Sequence, residues 1–80
     1  MNNKIKNEKY LQNMCRNIFL FRQQKGISLP ELADATHLPL VLLHKLEKGI
    51  IPTSFTITQM FKICIFFHCS LTEIFMEPPK

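Results

Sequence analysis

The chain has 80 residues, enough for one domain and close to the lower limit at which a single hydrophobic core is sufficient without disulfides or a metal. Because 46% of the residues are hydrophobic, the chain is too apolar to remain disordered. Ten basic residues against six acidic ones give a net charge of +4, which suits an anionic partner such as nucleic acid, although many soluble proteins are equally basic.

The cysteine content and the N-terminus indicate a compartment. Three cysteines, none of them in a C-x-x-C pair, give no disulfide framework. The chain opens with a polar, basic segment in place of an apolar leader, and no apolar run approaches the roughly 18–20 residues of a membrane span. We therefore expect a protein of the reducing cytoplasm with no membrane partner.

Residues 1–7 are predicted to form a flexible basic N-terminal arm, followed by a helix that opens at Asn7 or Glu8 and runs to about Gln24. Within this helix, apolar side chains recur at spacings of three and four residues, which is the pattern of a single buried stripe. The stripe consists of Leu11, Met14, Ile18 and Phe21. Gly26 is expected to stop the helix.

Two short helices joined by a tight turn are predicted in the middle of the chain, at about 29–36 and 40–48. Ser28 is placed to accept a hydrogen bond from the free N–H groups of the first helix, and Pro30 is tolerated in its first turn. Pro39 is expected to play the same part for the second helix, and Gly49 suits the left-handed conformation that ends it. Such a pair is a helix-turn-helix, whose usual function is to place its second helix in the major groove of DNA.

Two further helices are predicted at about 56–67 and 70–76, and residues 77–80 form a short tail. Ile63–Phe67 also has the composition of a strand, and an apolar run of five residues cannot be typed by periodicity alone. A helix is favoured by the spacing of Ile57, Met60, Cys64 and Phe67. This helix is apolar nearly all round, so a small domain cannot cover its whole surface.

The histidines and cysteines do not form a recognisable chemical site. His37 and His68 each follow a predicted helix and are expected to be turn residues in a left-handed conformation. Cys64, His68 and Cys69 lack the paired spacing that is typical of zinc ligands, so we expect no metal or cofactor. No nucleophile, base and orienting acid form a catalytic motif, and no enzyme activity is expected.

Several short motifs, taken in order, carry a family resemblance. They are Arg22 with Lys25-Gly26-Ile27-Ser28, then Glu31-Leu32-Ala33, Leu46-Glu47-Lys48-Gly49, Lys62-Ile63-Cys64, Ser70-Leu71 and Ile74-Phe75. Over about residues 17–75 the chain resembles the Cro and phage-repressor type of helix-turn-helix, the XRE family. The resemblance implies an all-α, compact five-helix, lambda-repressor-like domain at residues 8–76 that binds double-stranded DNA as a homodimer.

The resemblance also implies which residues face DNA. The residues carried over to base-facing positions are Leu29, Leu40, Val41, His44 and Lys45. Those carried over to phosphate-binding positions are Lys25, Ser28 and Lys48. Arg22 and Glu47 occupy positions that form a structural ion pair in the family.

The sequence departs from the family at the positions that matter most for base recognition. Positions 29, 40 and 41 are commonly polar but carry Leu, Leu and Val here, and these side chains can contact only the methyl group of thymine. His44 and Lys45 remain able to hydrogen-bond to a base. Apolar residues at positions 40 and 41 are also typical of packing, and lysines near helix ends are often only solvated, so these alternatives stay open.

Two functions are therefore compatible with the sequence. The first is a DNA-binding transcriptional regulator, repressor-like and homodimeric, that places the helix at about 40–48 in the major groove. The second is a protein-interaction module that keeps the fold and grips another protein with its apolar third helix. The chain has no room for a separate ligand domain, so no small-molecule substrate is expected. Surplus apolar residues expected to form the dimer surface are Phe19, Leu20, Ile65, Phe66, Phe75 and Met76.

Overall fold

The computed structural model describes the backbone of residues 3–78 and the side chains of residues 8–78. Five helices follow one another: α1 (Asn3–Lys25), α2 (Leu29–Thr36), α3 (Leu40–Glu47), α4 (Ile57–Phe67) and α5 (Leu71–Phe75). Residues 3–78 contain no strand, which confirms the predicted all-α architecture. The apolar run at the end of α4 is helical and not extended.

Three of the helices begin with a reciprocal cap. The Ser28 hydroxyl accepts a hydrogen bond from the Glu31 N–H at 3.2 Å, as predicted, and the Glu31 carboxylate accepts one from the Ser28 N–H at 2.7 Å. The same arrangement joins Thr56 to Gln59 at the start of α4, and Ser70 to Glu73 at the start of α5. Each of these reciprocal caps, known as capping boxes, gives a partner to two backbone N–H groups that would otherwise have none at the start of the helix.

Left-handed residues end the helices where the sequence predicted them. His37 and His68 have φ values of 58° and 56°, and Gly49 has a φ of 82°. Pro39 does not stand inside the first turn of α3 as predicted. It is the residue before the helix, with an extended ψ of 136°, and its carbonyl accepts the first helical hydrogen bond, from the Leu43 N–H.

The start of α1 differs from the prediction. The helix begins at Asn3, so the predicted start at Asn7 or Glu8 is wrong and the backbone of residues 3–7 is helical. This segment contains no glycine or proline, and its two lysines are good helix formers, so nothing in it stops the helix from extending. Residues 1 and 2 of the predicted arm, and residues 79 and 80 of the predicted tail, lie outside the described residues.

The hydrophobic core receives side chains from all five helices. Fully buried residues are Met14 and Ile18 of α1, Leu32 of α2, Leu43 and Leu46 of α3, Ile63 of α4 and Ile74 of α5. Helix α1 therefore crosses the middle of the domain. Its buried side extends beyond the predicted stripe, because Asn13, Cys15 and Asn17 are also buried.

Two buried asparagines of α1 hold the C-terminal end of α5. The Asn17 amide donates to the carbonyls of Ile74 and Met76, both at 2.8 Å, and the Asn13 amide donates to the carbonyl of Phe75 at 3.1 Å. Carbonyls at a helix end have no partner within the helix. The amides of α1 therefore cap this five-residue helix from outside.

We predict that Asn17 is required for the stability of the domain. Asn17→Ala removes the donor to three carbonyls at the end of α5, those of Glu73, Ile74 and Met76, and we expect the free energy of unfolding to fall by about 2–3 kcal/mol. Asn17→Asp should be more destabilising still, because a carboxylate would face carbonyl oxygens. Urea unfolding measures both, and Gln23→Ala on the exposed side of the same helix is the control. An Asn17→Asp protein as stable as the parent would contradict this account.

Candidate nucleic-acid interface

The turn between α2 and α3 is fixed by backbone hydrogen bonds around His37. The His37 N–H donates to the Asp34 carbonyl at 3.3 Å, and the Leu38 N–H donates to the Ala33 carbonyl at 3.1 Å. Leu38 is buried and α2 ends cleanly in a left-handed residue. This is the Schellman arrangement, which brings the apolar residue after the turn back onto the helix. The direction in which α3 leaves α2 is therefore set by the turn.

Helix α3 has one buried side and one exposed side. Leu42, Leu43 and Leu46 are buried in the core. The exposed side carries Leu40, Val41, His44 and Lys45, four of the five residues predicted to face bases. The structure thus brings these four together on one surface.

The exposed apolar residues of α3 are not packing residues. Leu40 is 45% exposed and Val41 is 66% exposed. Val41 and Lys45 lie one helical turn apart and border a shallow depression that also includes Pro52 and Ser54 of the following loop. Of the two alternatives that the sequence left open at positions 40 and 41, packing into the core is therefore excluded.

Leu29 differs from the other predicted base-facing residues. It stands at the start of α2, is half-buried, and packs against the core. Part of its side chain is therefore unavailable to a ligand.

The charge of the exposed side of α3 is uniformly basic or neutral. Lys45 and Lys48 are exposed near the C-terminal end of the helix, beside His44. The one acidic residue of α3, Glu47, is held by Arg22 and its side chain is only 10% exposed. A polyanion approaching this side meets cations and no uncompensated carboxylate of α3.

The cap of α2 limits what Ser28 can offer to a phosphate. Its N–H donates to the Glu31 carboxylate, and its hydroxyl oxygen accepts from the Glu31 N–H. Pro30 has no N–H, so the backbone donor left at this point is that of Leu29, together with the Ser28 hydroxyl proton. The hydrogen bonds from Ser28 also lower the pKa of Glu31, so a carboxylate stays ionised beside the expected phosphate position.

Lys25, the third predicted phosphate-binding residue, is turned toward α4. Its ammonium nitrogen lies 5.4 Å from the centroid of the Phe66 ring, a cation–π contact near the C-terminal end of that helix. At an exposed site such a contact stabilises by only about 0.5–1 kcal/mol. A phosphate could therefore draw Lys25 away from the ring at small cost.

The structure brings Arg22 and Glu47 together in a two-point ion pair. The guanidinium Nε donates to Oε2 at 2.6 Å and Nη2 donates to Oε1 at 2.9 Å. The third nitrogen, Nη1, donates to the carbonyl of Ile27 at 2.9 Å, and the guanidinium carbon lies 5.6 Å from the Phe19 ring centroid. The hydrogen bonds to Glu47 raise the pKa of Arg22.

Two contacts at this end of α3 were not found from the sequence. The Ile27 carbonyl accepts from Arg22, and the Gln12 amide of α1 donates to the carbonyl of Gly49 at 3.1 Å. Neither glutamine nor a loop carbonyl is marked by any local pattern. The Arg22–Glu47 pair and the Gln12–Gly49 hydrogen bond hold the C-terminal end of α3 to α1 at two places, and the bond to Ile27 ties the loop before α2 to the same arginine.

We predict that Arg22→Ala destabilises the fold by about 3–5 kcal/mol, because Glu47 would be left mostly buried without its partner. Arg22→Lys should recover only part of this loss, since an ammonium cannot form the two parallel bonds of a guanidinium. Thermal and urea unfolding test both variants. Arg16→Ala, which removes an exposed arginine from the same helix, is the matched control and should change stability by less than about 0.5 kcal/mol. An Arg22→Ala protein that unfolds like the parent would refute a structural role.

The cysteines offer no reactive thiolate at neutral pH. Burial raises the pKa of Cys15 to about 11, and burial with the neighbouring Cys64 raises the pKa of Cys69 to about 12. The pKa of Cys64 is also raised by burial. A protonated thiol is a poor nucleophile and a poor metal ligand. In residues 3–78, no three His, Cys, Asp or Glu side chains are grouped as a metal site requires.

The geometry defines a helix-turn-helix domain whose second helix exposes apolar residues at its start and basic residues toward its end. A helix-turn-helix family model matches residues 18–74, more than half of the chain. The protein belongs to this family, the Cro and phage-repressor type of XRE-like regulators, which is a family of DNA-binding regulators and not of enzymes. No curated protein and no solved structure matches the chain significantly. In the part of the chain that the structure describes, no helix combines the length and apolar character that crossing a membrane requires.

Proposed function

We propose that this protein is a repressor-like transcriptional regulator of the cytoplasm that binds double-stranded DNA as a homodimer, with α3 in the major groove. The observation that carries the proposal is the exposed side of α3. It combines four exposed residues that were predicted to face bases, a basic C-terminal end and the fixed turn from α2. This is the geometry with which a helix-turn-helix presents its second helix to DNA.

Phosphate contacts supply most of the affinity in this proposal. Lys48 is exposed directly after α3, and the Leu29 N–H with the Ser28 hydroxyl lies at the start of α2. Lys25 joins them by leaving the Phe66 ring. Glu31 opposes phosphate binding at this end, so the two lysines are expected to matter more than Ser28.

Base contacts fall to Lys45 and His44, because they are the exposed side chains of α3 that can hydrogen-bond. A lysine ammonium can donate to the O6 and N7 acceptors of guanine in the major groove. Lys45 has Val41 one turn before it and Lys48 after it, so it lies between the apolar start of the helix and its phosphate-binding end. We assign base recognition by hydrogen bonds chiefly to Lys45.

The dimer is proposed to form through α4. Ile57, Phe61 and Ile65 follow one another at spacings of four residues, and they are 59%, 44% and 71% exposed. An apolar stripe at this spacing lies along one side of a helix, where a second copy of the same stripe would cover it. Phe19 was also expected in the dimer surface, but its ring lies beside the Arg22 guanidinium near the end of α3.

A protein-interaction module is the second candidate function. The observation in its favour is the exposure of Leu40 and Val41. A partner protein could bury these two side chains just as DNA could. The two functions make opposite predictions for lysine and for apolar substitutions on α3. They can therefore be separated with one set of variants.

We predict that Lys48→Ala weakens binding to all DNA sequences alike and lowers the slope of log affinity against log salt by about one unit, with Lys25→Ala doing the same. Lys45→Ala should instead relax the preference at one base pair, by about 1–3 kcal/mol. The measurement is affinity for a duplex selected from random sequences, titrated at several salt concentrations.

Lys62→Ala is the matched control, because Lys62 is an exposed lysine of α4, outside the two helices of the helix-turn-helix, and borders a different surface depression from Lys45. It should leave the salt slope unchanged. No measurable duplex binding at low salt would sink the proposed function. If Leu40→Ala and Val41→Ala then abolished a protein complex while the lysine variants kept it, the interaction module would be established.

We predict that Ile65→Glu converts the dimer into a folded monomer. A buried carboxylate would be placed in the proposed interface, whereas in the monomer position 65 is 71% exposed and tolerates a charge. Light scattering should give twice the chain mass of 9.4 kDa for the parent and a single chain mass for the variant. Ile50→Glu, at a similarly exposed isoleucine outside α4, should remain dimeric. A parent protein that is monomeric at micromolar concentration would rule out the dimer.

A further inference from the structure

The start of α3 presents two apolar side chains to solvent that the fold does not use. Leu40 and Val41 are 45% and 66% exposed, while the core is filled from the other side of the helix by Leu43 and Leu46, which are fully buried. Neither exposed residue is needed to complete the hydrophobic core. Their exposure at the N-terminal end of α3 therefore suits a ligand with an apolar group.

The edges of the bases in the major groove offer one such group. Guanine, adenine and cytosine present hydrogen-bond donors and acceptors there, and thymine adds its 5-methyl group. An apolar side chain placed over an amino group or a carbonyl removes water from it without replacing the lost hydrogen bond. Placed over a methyl group, the same side chain buries apolar surface on both partners.

We propose that Leu40 and Val41 recognise the 5-methyl groups of thymine, so that the protein selects half-sites with thymine at the positions beneath the start of α3. The inference rests on the proposed function, since it names the bases that the same helix reads. It accounts for the absence of polar side chains at the two positions nearest the groove.

The position of Lys45 adds a second element to the half-site. Lys45 follows Val41 by one helical turn, and both border the same shallow depression. One turn advances about 5.4 Å along the helix, whereas base pairs rise by about 3.4 Å, so the two side chains meet base pairs within about two of each other. The selected half-site should therefore contain adjacent thymines with a guanine at most about two base pairs away.

Charge favours DNA over a protein partner as the occupant of this apolar patch. Lys45 and Lys48 lie on the same side of α3 as Val41, and no carboxylate of α3 lies there free of a partner because Glu47 is bound to Arg22. A polyanion with apolar methyl groups matches both halves of this surface. DNA that contains thymine has this chemistry.

The experiment removes the methyl groups and nothing else. A duplex is selected from random sequences, and each thymine in turn is replaced by deoxyuridine, which keeps every hydrogen-bonding edge. We expect about three- to fivefold weaker binding for each contacted methyl group, at one or two thymines per half-site, and no change at thymines outside them. Replacing a contacted thymine with cytosine should also weaken binding, and 5-methylcytosine at the same position should recover part of the affinity.

The protein variants supply the second arm of the experiment. Val41→Ala and Leu40→Ala should each bring the ratio of thymine to deoxyuridine affinity at one position close to one, while Ile50→Ala should leave every ratio unchanged. Both variants should fold, because the side chains are exposed and alanine favours a helix; circular dichroism checks this. Equal affinity for thymine and deoxyuridine throughout the selected duplex would overturn the inference while leaving DNA binding intact. Loss of all duplex binding would overturn the proposed function with it.

Discussion

The turn after α2 sets the direction of α3, and the ion pair between Arg22 and Glu47 holds the C-terminal end of that helix in place. The guanidinium uses Nε and Nη2 for the carboxylate and Nη1 for the Ile27 carbonyl, so the end of α1, the loop before α2 and the end of α3 meet at one group. Mostly buried ion pairs are costly to desolvate and contribute little net stability unless every donor is matched. Here the match fixes geometry, and it also cancels the one negative charge of α3. The same contact that holds the end of the helix therefore makes its exposed side wholly basic or neutral.

Two of the apolar surfaces that the described residues expose, one on α3 and one on α4, have different characters. The start of α3 is apolar next to lysines, whereas the stripe of Ile57, Phe61 and Ile65 on α4 contains no charge. A surface that combines small apolar side chains with lysines suits DNA, whereas a purely apolar side of a helix suits a second helix. In the proposed function, the exposed apolar residues of α3 would serve DNA binding and those of α4 would serve assembly.

Local patterns in the sequence were enough to predict most of the fold. Residues close in sequence decide the cap at Ser28 and the left-handed conformations of His37 and His68. They also decide that each of the five predicted segments is helical. The sequence could not show that Asn17 holds the end of α5, because its partners are 56–59 residues away. It also could not decide whether Val41 packs or faces solvent, since that depends on which side of α3 the core occupies. The family resemblance predicts a phosphate contact for Lys25, but it could not show that the Phe66 ring lies beside this lysine.

In the proposed function, the apolar start of α3 limits how well a single copy can discriminate between DNA sequences. Two thymine methyl groups at roughly fourfold each, together with one lysine–guanine contact of about 1–3 kcal/mol, would give a half-site discrimination of about 10²–10³. Specific DNA-binding proteins discriminate by about 10³–10⁷ over non-specific DNA, so one copy of this helix would reach at most the lower end of that range. Two copies on symmetric half-sites about 34–36 Å apart would multiply the factors to about 10⁴–10⁶, well within it. The proposed roles of the α4 stripe and of the apolar start of α3 are therefore linked: a protein that reads methyl groups with α3 would gain its specificity from the second copy that α4 would recruit.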